Sequence, residues 1–360
     1  QSGQRNGSKV IGVGVGQGFH AAGANGFDGL VRITPDGKLH IHSGVGNLGT
    51  YSYAATSRAA AEALGSKWED CVIERGDSRR GLPFVLGQFG SNTSFTCTRT
   101  NYVAAMDAKQ KLQEIAAMEL GGAAADYDTG DQKVFLKSDN SKSMTFAEAA
   151  QRAIKLGGKY SGHEAPDDIN PITKGAVAMI AGSGLIGVAK DKLPSTGMRT
   201  GLATAFVRIE LDTETGKITI LDHLGVADCG TVLHPQSLAT QMYGGGVMGV
   251  GMAISERHVF DPKLGLPGNR GLLNCKPLTY LDVPSEPDWD AVNLPDPDNP
   301  VGAKGVGEPI LGASAAAVLC AISDALGGHL FNRTPVVADM IINVAAGRPQ
   351  SHKPLQVNTQ

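Results

Sequence analysis

No two cysteines in this chain are spaced as C-x-x-C. The five that occur, Cys71, Cys97, Cys229, Cys275 and Cys320, are scattered, which excludes a zinc site or an iron–sulfur cluster built from this chain alone. Their odd number suits a reducing compartment better than a disulfide framework. Cys320, inside an apolar helical run, reads as a small buried hydrophobe. No apolar run approaches the ~18–20 residues of a bilayer span. Charge of one sign is also lacking: the net charge is −3, which gives no footprint for nucleic acid or an anionic membrane. Neither a phosphate loop, G-x-x-x-x-G-K-[ST], nor a nucleophile elbow, G-x-S-x-G, occurs. The segment GVGVGQG (12–18) has spaced glycines, but no strand precedes it, a hairpin follows it, and nothing builds a βαβ unit around it. The first residues, QSGQRNGSKV, show neither a starting Met nor a signal-peptide pattern. The expectation is a chain that is processed, trimmed or begun inside a longer sequence.

What the sequence does have is glycine: 48 in 360 residues, against a usual ~7%. They cluster at the ends of apolar segments, where they serve tight turns and close backbone approach. GFDGLVRITPDGKLHIHSG (26–44) predicts a β-hairpin about Pro-Asp-Gly. YAATSRAAAEALG predicts a helix ended by Gly65, CVIERGD a short strand, residues 80–100 a Gly- and hydroxyl-rich loop, and NYVAAMDAKQKLQEIAAMELGG a long amphipathic helix. Residues 125–175 are more polar, with one helix opened by the capping-box pair Thr145 and Glu148. A second hairpin follows at 203–230, and its VRIELDTETGKITI echoes VRITPDGKLHI of the first. Each hairpin leads to a Gly-rich loop and a helix. The fold class expected is therefore α+β, two related β-hairpin/helix halves. They are placed at 1–150 and 203–348, with a linker or insertion at 151–202 and a polar tail at 349–360. PQSLATQMYGGGVMGVGMAISE (235–256) carries five glycines, costly in a helix interior at roughly 1 kcal/mol each. It is either a loop or a place where backbone or cofactor comes close. Residues 257–303 read as irregular surface chain.

One carboxylate stands out. In KGVGEPILGASAAAVLCAI, Pro309 suits the first helical position, which makes Glu308 the N-cap, where Ser, Thr, Asp and Asn are preferred. Thr334 before Pro335 follows that rule for a last helix; Glu308 does not. A helix dipole alone would favour a carboxylate there by ~0.3–1 kcal/mol. Gly-rich segments at 44–50, 87–96 and 240–251 can cradle anions and polar cofactors with backbone N–H groups. His40, His42 and His234 show no ligand spacing and read as structural.

The order of these segments resembles the xanthine oxidase family of molybdenum hydroxylases, in the second half of the molybdopterin-binding large subunit, over most of the chain. KGVGEPILGASAAAVLCAI is similar to that family's K-x-V-G-E-P-P segment, with Val306 inside it and the family's glutamate at Glu308. GTVLHPQSLATQMYGGGVMGVGMAISE is similar to its G-Q-x-x-G-G stretch, which puts a pterin-binding glutamine at Gln241. GQFGSNTSFT is similar to the loop around the molybdenum centre, at Gly90, Ser91, Asn92 and Thr93. Where the family has E-M-G-Q-G, this chain has Asn47-Leu48-Gly49-Thr50-Tyr51. Thr50 replaces a cofactor-binding glutamine, and a backbone contact at Gly49 is what the resemblance leaves. Ile310 stands for the second proline.

The resemblance implies a molybdenum–molybdopterin cofactor, the cytosine dinucleotide form among its candidates, with Glu308 as general base and no metal-ligating side chain. It implies oxidation of a C–H bond of an aldehyde or N-heterocycle with water as oxygen source. A reductive dehydroxylase of an aromatic thioester, or a non-catalytic structural or cofactor-insertion subunit, remain open alternatives. The first half of the molybdenum domain is missing here, so the expected partners are a chain carrying that half, an iron–sulfur subunit with [2Fe-2S], a flavin subunit with FAD, and a small-molecule substrate. The subunit organisation resembles that of nicotinate dehydrogenase. Cytoplasmic location is the default, with export beside a signal-bearing partner the other route.

Overall fold

The computed structural model describes residues 2–284 and 287–352. Along the chain run β1 (Arg5–Asn6), β2 (Lys9–Ala21), β3 (Asp28–Ile33), β4 (Leu39–His42), α1 (Ser52–Leu64), β5 (Cys71–Glu74) and α2 (Thr93–Leu120). Then come β6 (Tyr127–Gly130), β7 (Lys133–Leu136), β8 (Asp139–Thr145), α3 (Phe146–Leu156), α4 (Pro171–Ile180) and β9 (Leu185–Lys190). The remainder holds β10 (Thr200–Asp212), β11 (Ile218–Asp228), α5 (Pro235–Ile254), α6 (Leu272–Cys275), β12 (Asp288–Ala291), α7 (Glu308–Ala325) and α8 (Ala338–Ala345). The fold is α+β.

The two hairpins are β3–β4 and β10–β11, and each is the centre of one sheet. The first sheet is ordered β9-β3-β4-β5 and the second β2-β10-β11-β12, with the short β1 added outside β2. In both, the hairpin is antiparallel, the strand on one side is antiparallel and the strand on the other is parallel. Helices α1 and α2 cover the first sheet as α5 and α7 cover the second. The correspondence has a twist. The strand preceding each hairpin leaves for the other sheet: β2, just before β3, pairs with β10, and β9, just before β10, pairs with β3. Among the described residues two large hydrophobic cores result, one between each sheet and its helices, and a smaller third packs α4 against the first sheet.

GVGVGQG, which the spacing of its glycines does not mark as a strand, is the middle of β2. A Cβ on Gly12, Gly14, Gly16 or Gly18 would strike the carbonyl oxygens of Ala321, Ala317, Ala313 and Pro309 respectively. Two residues of strand advance about 6.6 Å and four residues of helix about 6 Å. The bare face of β2 therefore stays in step with α7 for its whole length. Helix α7 meets length and composition limits for crossing a bilayer, but here it is the core helix of the second sheet, seated on β2 and β10 and flanked by α5. Cys320 is exposed rather than buried, because it lies one residue off the face that meets β2 at Ala321 and Ala317.

Three other expectations change. Residues Thr93–Thr100 are helical, so α2 begins earlier than its hydroxyl-rich composition suggests. Thr98 Oγ1 donates to Ser94 O at 2.6 Å, which contents the hydroxyl within the helix. Fully buried Arg99 binds Asp191 through Nε at 2.7 Å and Nη2 at 2.9 Å, tying α2 to the crossover before β10. The polar middle segment forms the sheet β6-β7-β8 besides its helices, and α3 does open on the Thr145/Glu148 capping box. At the end of the chain the Thr334–Pro335 peptide is cis, and α8 starts only at Ala338. Of the expected tail, residues 353–360 lie outside those described.

Two buried imidazoles load the fold against acid. Burial pushes His42 down to about 4, with its Nδ1 2.7 Å from Gly81 O and with Arg32 and His40 nearby. Burial also lowers His223, whose Nε2 lies 2.8 Å from Ser314 Oγ on α7. Both are neutral in the fold, whereas an unfolded imidazole takes a proton near ~6.5. Stability is therefore full above that pH and declines as pH falls toward the folded values. Denaturant midpoints at pH 7.5 and 5 should differ, the lower at pH 5; equal midpoints would refute this account. In the same assay Gly16→Ala should destabilise by about 1–3 kcal/mol through overpacking, while Val15→Ala, on the exposed face of β2, should stay within ~0.5 kcal/mol.

Candidate active site

At one end of both sheets lies a cavity of about 290 Å³. The N-terminal turns of α1, α2, α5 and α7 all line it, following from the repeated topology, which brings each helix back over its sheet from the same edge. Helix N-termini present unpaired N–H groups and the positive end of the dipole. Among the described residues Glu308 is the single carboxylate in the lining, and the cation there, Lys304, is paired to Asp228 at 2.7 Å. The cavity favours an anionic ligand.

The segment before α7 is placed by backbone pairing. Gly230 and Ala303 form a bridge, Lys304 N donates to Cys229 O at 2.7 Å, and Gly305 N donates to Ala22 O at 2.7 Å. A Cβ on Gly305 would overlap the carbonyl of Ser91, so only glycine lets this segment lie against the 87–92 loop. Gly307 is the N-cap and Glu308 the first helical residue, so the helix starts one position earlier than the proline rule suggests, with Pro309 second. Ser91, held at φ 49°, donates from Oγ to Glu308 Oε2 and accepts from Glu308 N at 3.0 Å. One hydroxyl thus anchors both the side chain and the backbone of Glu308, which is exposed in this chain.

Of the residues singled out from sequence, Thr50, Ser91, Asn92, Thr93, Gln241, Val306 and Glu308 come together in the cavity wall. Gly49 and Gly90 do not line it; both sit at positive φ in the turns that shape it, and Gly49 N donates to Asn47 Oδ1 at 3.0 Å. Asn92 spends its amide N–H groups on Gly87 O and Phe89 O. Its Oδ1 is buried without a partner, a state that is costly unless a ligand donor completes it. The glycines of 244–251 lie within helix α5, and close approach is their reason. Gly245 packs on Ile310, Gly246 on the His223 ring and Gly249 on the Leu311 carbonyl, while Gly244 opens onto the cavity with nothing within 4 Å. His234 caps α5, its Nδ1 accepting from Ser237 N at 3.1 Å.

Sequence reasoning passed over Gln88, Thr231, Ser237 and Lys304, which also line the wall. Lys304 and Gln88 lay inside quoted motifs, but nothing local distinguishes a wall residue from a surface one. Cys229 is in the wall too, buried, with its thiol pushed up to about 11 by that burial, which makes it a poor nucleophile. Among the described residues no three His, Cys, Asp or Glu side chains gather into a metal-binding group.

Residues 1–284 match the family model for the molybdopterin cofactor-binding domain. The chain belongs to that family, in the xanthine oxidase class of large subunits. It is similar to the aldehyde oxidoreductase molybdenum-binding subunit PaoC of Escherichia coli K12, 28% identical over 338 residues, which are 92% of this chain and 39% of that one. It is also similar to the carbon monoxide dehydrogenase large chain of Hydrogenophaga pseudoflava, 27% identical over 88% of this chain and 37% of the other. The fold is that of quinoline 2-oxidoreductase from Pseudomonas putida 86, with TM-score 0.75 and 22% identity, covering 95% of this chain and 42% of that structure. The chain thus spans about two-fifths of the length of these relatives. The cavity fits a molybdopterin: four helix N-termini face its anionic end, an orphaned Asn92 carbonyl awaits an N–H donor, and Gly244 leaves room beside Gln241.

Gly305→Ala should separate the α7 segment from the 87–92 loop. The expected result is loss of cofactor from the purified complex with the far-UV spectrum preserved; full cofactor retention would show that this contact does not shape the site.

Proposed function

We propose that this chain is the cofactor-binding, base-carrying part of a molybdenum hydroxylase or dehydrogenase that oxidises a C–H bond of an aldehyde or N-heterocycle with oxygen from water. One observation carries the reading: Glu308, the single carboxylate in a wall of helix N-termini, is anchored by Ser91 inside a family that binds molybdopterin. When bound, the cofactor supplies the redox metal and draws its metal ligands from the pterin sulfurs, which is why the wall needs no ligating side chain. Gln241, Thr50, Asn92 and Thr93 would hold the pterin by side-chain hydrogen bonds, and the turns at Gly49, Gly90 and Val306 would hold it by backbone. Glu308 would serve as the general base, holding the proton that the water-derived oxygen gives up. Its anchored carboxylate needs no rearrangement to do so, because Ser91 sets its position before substrate enters.

The chain spans about two-fifths of the length of these relatives. Exposed Phe19 and Phe206 on the open face of the second sheet, and the exposure of Glu308 itself, support a partner that carries the remaining part of the molybdenum domain. Iron–sulfur and flavin subunits would then remove the electrons. Five free thiols suit assembly in the cytoplasm, and the cytosine dinucleotide is the pterin form proposed.

The decisive experiment is molybdenum content and turnover of the complex purified natively through this chain, wild type against Glu308→Gln. The amide keeps the shape and can still accept from Ser91. Molybdenum should be retained while turnover of the best aldehyde or N-heterocycle falls by at least ~10²–10⁴-fold. A clean complex without molybdenum, from cells able to make the cofactor, would sink the proposal.

A further inference from the structure

We propose that Gln88 is a positioning residue for the cofactor, one that fastens two separate loops into a single cavity wall. The assignment rests on the molybdopterin reading and deepens it.

The two loops are residues 44–52, leading into α1, and 86–93, leading into α2. Both turn through left-handed residues: Gly49 and Tyr51 in the first, Gly87, Gly90 and Ser91 in the second. No backbone–backbone hydrogen bond joins one to the other. What joins them is one amide. Gln88 Oε1 accepts from Leu48 N at 3.1 Å. Its Nε2 donates to Thr50 Oγ1 at 2.7 Å and to Ser52 Oγ at 2.5 Å. All three partners belong to the first loop, so the amide has its acceptor and both donor hydrogens engaged there. The second loop continues the connection. Gly87 O, next to Gln88, accepts from Asn92, and Ser91 reaches Glu308. A run of hydrogen bonds thus leads from Thr50 through Gln88 and the 87–92 loop to Glu308, along one side of the cavity.

Without that amide the tip of the first loop, 47–51, keeps only hydrogen bonds within itself and to the start of α1: Asn47 Oδ1 accepting from Gly49 N and Tyr51 N, and the Thr50 hydroxyl paired with Ser52. It would move independently of the wall that carries Ser91 and Asn92. A bound pterin touching both loops would then have to order them itself, and that ordering lowers affinity. Gln88 therefore acts through the loops, by keeping Thr50 and Asn92 in register around the ligand.

The test uses the complex purified through the full chain, with the probe being the native pterin, quantified per chain by fluorescence after release and oxidation. Gln88→Met keeps the volume and removes the amide. Loss of pterin during dialysis should be about tenfold faster than in wild type, about 1.4 kcal/mol, because the ligand must then order the loops itself. Ser52→Ala breaks one of the same contacts from the other side and serves if the first variant does not fold. The double variant should be no worse than Gln88→Met alone, since the bond lost with the Ser52 hydroxyl is among those already lost with the amide. Gln113→Ala removes a side-chain bond to Tyr127 O, on α2 outside the cavity wall, and should leave pterin retention unchanged. Hydrogen exchange of the full chain should quicken in 44–52 for Gln88→Met and not in the sheet β6-β7-β8. Wild-type pterin retention in Gln88→Met, or single effects that add in the double variant, would overturn the assignment. A wild-type complex without pterin would overturn the proposed function itself, and this assignment with it.

Discussion

Helix α7 rests on the backbone of β2 with no β2 side chain between them, and the geometry of the cavity depends on that contact. Gly12, Gly14, Gly16 and Gly18 each leave room for a carbonyl of α7, in the direction a side chain would take. The contact is stepwise, every second strand residue against every fourth helix residue, so α7 cannot slide by less than a full turn without collision. That fixes the helix along its axis. Its first residue is Glu308, and the position of the carboxylate is thereby set by a strand that contributes nothing to the cavity lining. A close-packed interior transmits displacement instead of absorbing it. A methyl group on β2 would therefore be felt at Glu308 as well as in stability.

The exchange of strands between the two sheets extends the same constraint across the molecule. Because β2 pairs with β10 while the next strand, β3, belongs to the other sheet, the chain crosses between the halves near Ala22. That crossing is where Gly305 N finds its backbone acceptor. The return crossing, before β10, passes Asp191, held by the buried guanidinium of Arg99 on α2. Neither half can pivot freely on the other. The four helix N-termini meet because two similar layouts are locked face to face, and a field favouring anions follows from topology before any side chain is considered.

How much of this was legible beforehand depended on the range of the interaction. Hairpins, the Gly65 cap and the Thr145/Glu148 box are local, and their residues state them. The resemblance located Glu308, Gln241 and the Ser91–Thr93 loop from short motifs, and these residues share one cavity wall. The glycine strand was not legible: alternating glycines lower strand propensity, and their reason lies some 300 positions away in α7. The five glycines of 240–251 posed the same puzzle: they form no loop but lie inside helix α5, and close approach is the option that holds. The hydroxyl-rich start of α2 looked like loop because Ser and Thr compete with the helical backbone. Here they bond inside the helix, and the buried Arg99 pair commits that turn to it.

Gln88 shows the limit most plainly. A glutamine in a Gly-rich loop carries no sign of what it touches, and its three bonds join segments whose separation in sequence is set by α1 and β5. Yet the substitution that seemed to weaken the site, Thr50 in place of a longer amide, makes sense beside it. A short hydroxyl at 50 leaves space for the Gln88 amide to enter from the opposite loop. The wall therefore still contains an amide next to position 50, delivered from another strand of chain. A motif compared position by position records a loss there, and does not record that the hydroxyl at 50 is what the Gln88 amide holds.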